Sequence, residues 1–360
     1  MKIKDLMKLI NKEIPLKTAE SWDNVGLIIG DNESHVTGIL TTLDCTKAVV
    51  EEALTHNINT IICHHPLIFK GIQSIHNTGY GEVMHALIKN EINLIALHTN
   101  LDAHPKGVSA MIAEKLALES IEILLPENHT LCKLQLFVPK EHTTLLKNKL
   151  AEIGAGSIGD YDHCFFSTSG QGEFFPNDNA NPFVGIKNEI HYEDEIKLEC
   201  VFAPHLKTDI IKLIHQFHPY ETPAFDIFEM TVPAPYGTGV KAQLSKPMLL
   251  SELAQFAKSA LALDVVKIIG EDKRVSSVAI IGGAGVSYMY QVQNSDVDVL
   301  LTGDIKYHEA HDLLMMQLPA IDITHYSEWV MKEGLKRLLD AWIDAPILAS
   351  NVNTNPFKSI

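Results

Sequence analysis

The 360-residue chain has no apolar stretch approaching the roughly 20 residues that a membrane-spanning helix needs. Its longest apolar runs, such as Ile92 to Leu97 and Val297 to Leu301, are the length of a strand. It also lacks the basic, then apolar, then small-residue layout of a signal peptide, since Met1 to Ile14 alternate Lys, Asp and Glu with Leu and Ile at helical spacing. A cytoplasmic protein with no membrane partner is expected. Cys-x-x-Cys pairs are missing, and five scattered cysteines (Cys45, Cys63, Cys132, Cys164, Cys200) fit neither a disulfide framework nor a thiolate zinc site. They read as buried small hydrophobes. No run of Lys and Arg interrupts a formal charge of −16, so the surface repels phosphate backbones and nucleic acid is not an expected partner. Internal repeats and low-complexity segments are absent as well.

What remains is a chain with 46% hydrophobic residues, long enough for two or three domains with ordinary cores. Up to about Ser120, strand-length apolar runs alternate with amphipathic segments, the pattern of an α/β domain with a largely parallel sheet. Strands are predicted at Gly38 to Leu43, Thr60 to Cys63 and Ile92 to Leu97, with helices over Thr46 to Asn57, Tyr80 to Lys89 and Ser109 to Leu118. The pattern then changes. Leu131 to Val138 reads as a strand and Thr143 to Ile153 as a helix, and Gly154 to Pro182 reads as hairpins and loops. A strand at Lys197 to Ala203, a helix at His205 to Phe217 and a strand at Pro223 to Met230 complete a split βαβ order, as in ferredoxin-like domains. From Leu249 the first pattern resumes, with a helix to Leu261, strands at Ser277 to Ile281, Val297 to Leu301 and Ala320 to Ile323, and helices at Lys306 to Met316 and Ser327 to Leu339. The expected organisation is one α/β domain from both chain ends, residues 1–125 and 237–360, with a second domain, 126–236, inserted. Pro233 to Gly239 would be the return linker.

The 18 histidines are the compositional oddity, and position decides which of them matter. His64 and His65 follow one apolar run, His98 and Asp102 another, Thr302-Gly303-Asp304 a third, and His325 with Glu328 a fourth. In an open parallel sheet ligands bind beyond the carboxyl ends of the strands, so four segments deliver nitrogen and oxygen donors to one edge. Neighbours in an extended segment point to opposite sides, so His64 and His65 would each serve one ion of a pair. His325 and Glu328, three apart at a helix start, share a face, and the carboxylate there can bridge two metals. Mixed imidazole and carboxylate donors suit zinc, iron(II), manganese or cobalt better than calcium or magnesium.

Each feature taken singly has a blander reading. His-His-Pro after a strand is commonly a surface turn, and His-x-x-Glu in a helix can be a local ion pair. His311 and Asp312 fit a solvated helix face, while His308 is nearer a strand end. Gly282-Gly283-Ala284-Gly285 lacks the spacing of a nucleotide loop and reads as a tight strand-to-helix turn. Trp22 to Leu27 can be a turn before a strand.

As an ordered set, however, Trp22-Asp23-Asn24-Val25-Gly26-Leu27, His64-His65-Pro66, Leu97 to Asp102, Leu301-Thr302-Gly303-Asp304 and Asp322 to Glu328 resemble the Nif-three-like dinuclear metal-centre family, whose members are also labelled GTP cyclohydrolase type-two homologues. His218 to Ala224 is similar to the inserted domain of the longer bacterial members, itself like the P-II signal proteins and CutA ion-tolerance proteins. One departure is Thr324, where the family commonly has glycine. The resemblance implies a Nif-three-like α/β domain carrying a ferredoxin-like α+β insert. It implies metal ligands at His64, His65, Asp102, His325 and Glu328, two divalent ions per chain (zinc, with iron or manganese as alternatives), and a ring-shaped homohexamer, a toroid of trimers. His98 and His308 are the candidate proton carriers. Two functions follow, a metal-dependent hydrolase acting on a nucleotide or phosphoester, or a non-enzymatic regulatory scaffold.

Overall fold

The computed structural model describes residues 1–358, and the chain divides into two compact units, Met1–Glu127 with Pro235–Ile360, and Asn128–Ala234. The first unit opens with α1 (Ile3–Glu13), which buries Ile3, Leu6 and Ile10 along one stripe. Then come β1 (Gly26–Ile29), β2 (Ile39–Asp44), α2 (Lys47–Thr55), β3 (Thr60–His65), α3 (Tyr80–Lys89), β4 (Asn93–Ala96), α4 (Thr99–Asp102) and α5 (Val108–Lys115). The long strand β5 (Glu119–Pro139) leads into the second unit, which holds α6 (Thr143–Glu152), β6 (Phe166–Phe174), β7 (His191–Phe202) and α7 (Lys207–Phe217). β8 (Phe225–Leu249) returns the chain to α8 (Leu250–Ala260), β9 (Lys267–Ile269), β10 (Arg274–Ile280), α9 (Met289–Gln293), β11 (Val299–Thr302), α10 (Tyr307–Met315), β12 (Ala320–Asp322), α11 (Met331–Asp340) and β13 (Ile347–Ala349).

The first unit contains two sheets where the sequence pattern suggested one. The first has the order β1-β4-β3-β2-β13 and is parallel apart from β1. In the second, β8, β10, β11, β12 and β9 follow one another, with β10, β11 and β12 parallel and the flanking strands antiparallel. The reason is that buried parallel strands all read as similar apolar runs, so their composition carries no record of which strand is the neighbour. β13 is the element that settles it, pairing Ile347 with Ile39 to complete the first sheet from the far end of the chain.

In the second unit the strands run β6-β7-β5-β8, the ferredoxin-like order. β6 lies in the stretch expected to form hairpins and pairs antiparallel with β7. Its residues are nearly all exposed, so it shows no alternation of apolar and polar side chains. Each unit has its own core. Cys132, Leu134, Leu136, Leu146, Leu198 and Ile210 pack together in the second, while three clusters fill the first, the largest around Ile3, Ile95, Leu101, Ile280, Leu301 and Leu335. Cys45, Cys63, Cys132 and Cys200 are buried free thiols and Cys164 is half-buried.

Candidate metal centre

Two sheet edges supply the site. From the first sheet, β3 is buried from Thr60 to His64 and ends on His64 and His65, whose side chains diverge as strand pleating requires. β4 delivers His98 one residue before α4, and that single helical turn sets Asp102 beside it. From the second sheet, β11 ends before Gly303 and Asp304, and β12 before a 3-10 turn, His325–Val330, that carries His325 and Glu328.

His64 is fully buried. Its Nδ1 donates to the Leu97 carbonyl at 2.9 Å, which leaves a lone pair on Nε2. That Nε2 stands 3.6 Å from Asp102 Oδ1 and 3.8 Å from Glu328 Oε1. His65 is held at Nδ1 by Asp44 Oδ1, 2.7 Å away, and its Nε2 lies 3.2 Å from both Glu328 Oε2 and His325 Nε2. His325 is held in turn at Nδ1 by Asp304 Oδ2 at 2.8 Å, with Nε2 3.3 Å from Glu328 Oε2. In all three imidazoles an oxygen fixes Nδ1 and Nε2 faces inward, the arrangement that orients histidine toward a metal.

Glu328 organises the pair. Its side chain is 3% exposed, and its two oxygens face different groups: Oε1 faces His64, and Oε2 faces His65 and His325. Ligand atoms of His64, Asp102 and Glu328 lie within 4.8 Å of one another, as do those of His65, His325 and Glu328, and those of His64, His65 and His98. The five residues expected as ligands are thus brought together as two triads sharing one carboxylate.

A physical test of fit comes from hydrogen bonding. His64 Nε2 and Asp102 Oδ1 are buried and have no hydrogen-bond partner, a costly state for polar atoms. At 3.6 Å the two atoms stand too far apart to hydrogen-bond each other, whereas one divalent cation between them would accept a lone pair from each. The donor set fits such an ion, and its mix of nitrogen and oxygen fits the transition metals named above.

Protonation points the same way. Burial alone lowers the basicity of His65, but hydrogen bonds to Asp44 and Glu328 overcome it and raise its pKa to about 10. The Glu328 hydrogen bond is the main reason that His325 rises to about 9. Burial pushes Glu328 up, yet the three imidazoles hold its carboxyl well below the usual carboxylate range. Burial raises Asp102. The cluster therefore retains protons where cations would sit, and binding an ion must release them.

His98 takes a different role. Its Nδ1 lies 2.9 Å from Asp23 Oδ1, and Asp23, with a fully buried side chain, also accepts from Thr99 N at 3.0 Å and Thr99 Oγ1 at 2.5 Å. Burial would raise the Asp23 carboxyl, but these donors hold it below the usual range. The His98 ring is 5.1 Å from that of His64 and 5.8 Å from that of His65. His308, the other expected proton carrier, is placed elsewhere: it is exposed on α10 with its ring edge-on to Tyr307.

Asp23, Asp44 and Asp304 orient three histidines; the sequence placed Asp304 in a donor segment and Asp23 in the Trp22-to-Leu27 motif without giving either this role, and it left Asp44 unmarked. Asp44 obeys the rule that found the ligands, since it ends the apolar run of β2. Asp23 precedes its strand and leaves no such signal. Gly282 to Gly285 form the tight turn expected, and its reason lies here: a Cβ on Gly282 or Gly283 would meet Glu328 Oε1 at 3.1 Å. A cavity of about 640 Å³ adjoins the centre, with His65, His325, Asp44, Asp304, Tyr326 and Phe357 in its wall.

The Duf34/NIF3 (NGG1p interacting factor 3) family profile matches residues 1–356. Proteins named "GTP cyclohydrolase 1 type 2 homolog" from Staphylococcus epidermidis and Staphylococcus aureus are each 46% identical, aligning over 99% and 100% of this chain and all of theirs. A crystal structure of a Staphylococcus aureus protein superposes with a TM-score of 0.90 at 43% identity, covering 100% of this chain and 99% of the other. A Bacillus cereus protein related to NIF3 gives 0.80 at 34% identity with the same coverage. The chain belongs to the Duf34/NIF3 family.

Proposed function

We propose that this Duf34/NIF3 protein holds two divalent metal ions and uses them as a hydrolase on a nucleotide or phosphoester. The observation that supports this reading most is the division of Glu328, whose two oxygens face separate triads, one of which contains two buried, unpartnered donor atoms. His64, Asp102 and Glu328 would hold one ion, and His65, His325 and Glu328 the other, with zinc the first expectation and iron or manganese next. Bound ions would supply Lewis acidity, polarising a water and an oxygen of the substrate.

The protein's own groups do the rest. Asp23 fixes the proton of His98 on Nδ1, leaving Nε2 free to take a proton from water and return it to a leaving group. Glu328 would be the residue common to both ions, one carboxylate oxygen being directed toward each triad. The name shared by the staphylococcal relatives suggests attack at a purine carbon, and the same apparatus serves attack at phosphorus. The adjoining cavity gives a small substrate access to the His65 side of the centre.

Metal analysis of protein purified without chelator should give close to two ions per chain. Glu328→Ala should lose both and His64→Ala one, because only Glu328 faces both triads. An unchanged stoichiometry in both variants would remove the site assignment. Turnover of some nucleotide or phosphoester should vanish with chelator and return with a transition metal, and Asp23→Asn should slow kcat on the order of a hundredfold while leaving metal content intact. No metal-dependent turnover across a broad panel would favour the second reading, a regulatory scaffold, for which the supporting observation is a separate cavity in the inserted unit.

We also propose, on the family likeness, a ring-shaped homohexamer with the centres facing an internal cavity. Large exposed apolar side chains on the inserted unit, among them Phe166, Phe175, Ile186 and Ile190, support an assembly that covers them.

A further inference from the structure

The inserted unit contains a cavity of about 310 Å³ with a wall unlike that of the metal centre. Phe174, at the end of β6, and Phe183, in the β6–β7 connection, stand on either side of Tyr220. Their ring centroids are 6.0 Å and 6.3 Å from that of Tyr220, with the planes tilted by 56° and 46°. Three carboxylates, Glu173, Glu195 and Glu221, join the lining, and no Lys, Arg or His is among the residues that form it. The Asn181 backbone N–H donates to Glu221 Oε1 at 2.8 Å and ties the β6–β7 connection to the segment that carries Tyr220. The Tyr220 hydroxyl is buried, and burial together with the neighbouring Glu195 carboxylate pushes its pKa up.

Aromatic faces carry negative charge density, and tilted faces around one space attract a cation whose own hydration is weak. The carboxylates add full negative charge at the rim. Both disfavour an anion, although the rings of His191, His142 and His218 pack against Phe174, Phe183 and Tyr220 from outside the lining. A neutral apolar guest would bring no charge to offset the desolvation of Glu173 and Glu195. The volume is at the small end of ligand pockets, room for a compact head group only. We propose that this cavity binds a small organic cation, an alkylated ammonium group, between Phe174, Phe183 and Tyr220. This inference does not rest on the metal centre or on hydrolysis.

The test uses the full-length, metal-loaded protein. Tetramethylammonium and choline are titrated at constant ionic strength by calorimetry and ligand-observed NMR, with 3,3-dimethylbutan-1-ol as the neutral counterpart of choline. Saturable binding of both cations is expected, with the alcohol weaker by roughly tenfold or more. Glu195→Gln and Phe183→Ala should each weaken the cations by a similar factor while metal content and circular dichroism stay unchanged. Glu195→Gln keeps the shape of the wall and so separates charge from folding. Equal affinity for the alcohol would overturn the proposal, as would affinities that neither substitution changes, or an absence of saturable cation binding.

Discussion

Thr324 is the residue at which this chain pays most visibly for the shape of its candidate metal centre. It has φ of 58° and ψ of 157°, a region that β-branched side chains rarely enter. Its surroundings enforce this: the Thr324 N–H donates to Asp322 Oδ1 at 3.0 Å, and its carbonyl accepts from Ser327 Oγ at 2.8 Å. Gly303 presses against the same turn, where a Cβ would lie 2.7 Å from His325 N and from Thr324 C. Replacing Thr324 by Gly should therefore stabilise the protein by about 1 kcal/mol, relief of strain outweighing the added freedom of the unfolded chain. Chemical denaturation measures it, and a destabilised variant would mean that the threonine side chain contributes more than the strain removes. At this scale the sequence was most informative about which polar side chains the fold gathers at the candidate centre. Each of His64, His65, Asp102, His325 and Glu328 stands just beyond an apolar run, where a polar side chain has few other reasons to be. The pairing of Asp23 with His98 was hidden, because 75 residues separate them and nothing local marks the contact.

Among elements, the junction of β10 and β11 shows how a parallel pair is held in register. Asp298, just before β11, accepts from Ser276 N and Oγ at 2.8 Å each, Ser277 N at 2.9 Å and Ser277 Oγ at 3.0 Å. Burial would raise its carboxyl, but these four donors lower it from 3.8 to about 2. The sign follows directly. A carboxylate depressed on folding contributes stability that is complete above its unfolded value and is lost as pH falls from about 4 through about 2. Asp298→Ala should cost about 1 kcal/mol at neutral pH, discounted for its partial exposure, and the difference from the parent chain should shrink across that acid window in urea titrations. A difference independent of pH would assign the loss to packing. Most strands and helices were legible here to within a few residues because burial imposes their periodicity. The exceptions are β5 and β8, which run far past the expected Leu131 to Val138 and Pro223 to Met230, so that Pro233 to Gly239, expected as the return linker, lies within β8. The partition into two sheets was not, since β9 and β13 are three residues each and too short to show a period. The helix expected from Ser327 begins as the 3-10 turn His325–Val330, a difference that side-chain spacing does not register.

For the whole molecule, the two separate cores predict that the insert can be removed. Joining Leu125 to Gly237 through a short Gly/Ser linker asks little of the chain, because the Leu125 carbonyl already stands against Gly237, and Gly237 N–H is anchored to the Ala103 carbonyl at 2.9 Å. The shortened protein should fold and bind two ions per chain, as metal analysis and circular dichroism would show. A folded product without metal would make the insert part of the centre. The intact protein should sediment at about six times the 39.9 kDa of one chain; a monomer in solution would remove the proposed ring. The placement of the ligands on both sides of the insert also sets an order in time. His64, His65 and Asp102 leave the ribosome first, and Glu328, the carboxylate common to both triads, follows roughly 220 residues later, a delay on the order of ten to forty seconds at ordinary synthesis rates. Throughout that interval the early histidines have no bridging partner, so neither triad exists in a chain that stops short of Glu328. On the proposed assignment a pair of ions would be captured only by a chain that extends through Glu328, and metal content would then record synthesis at least that far.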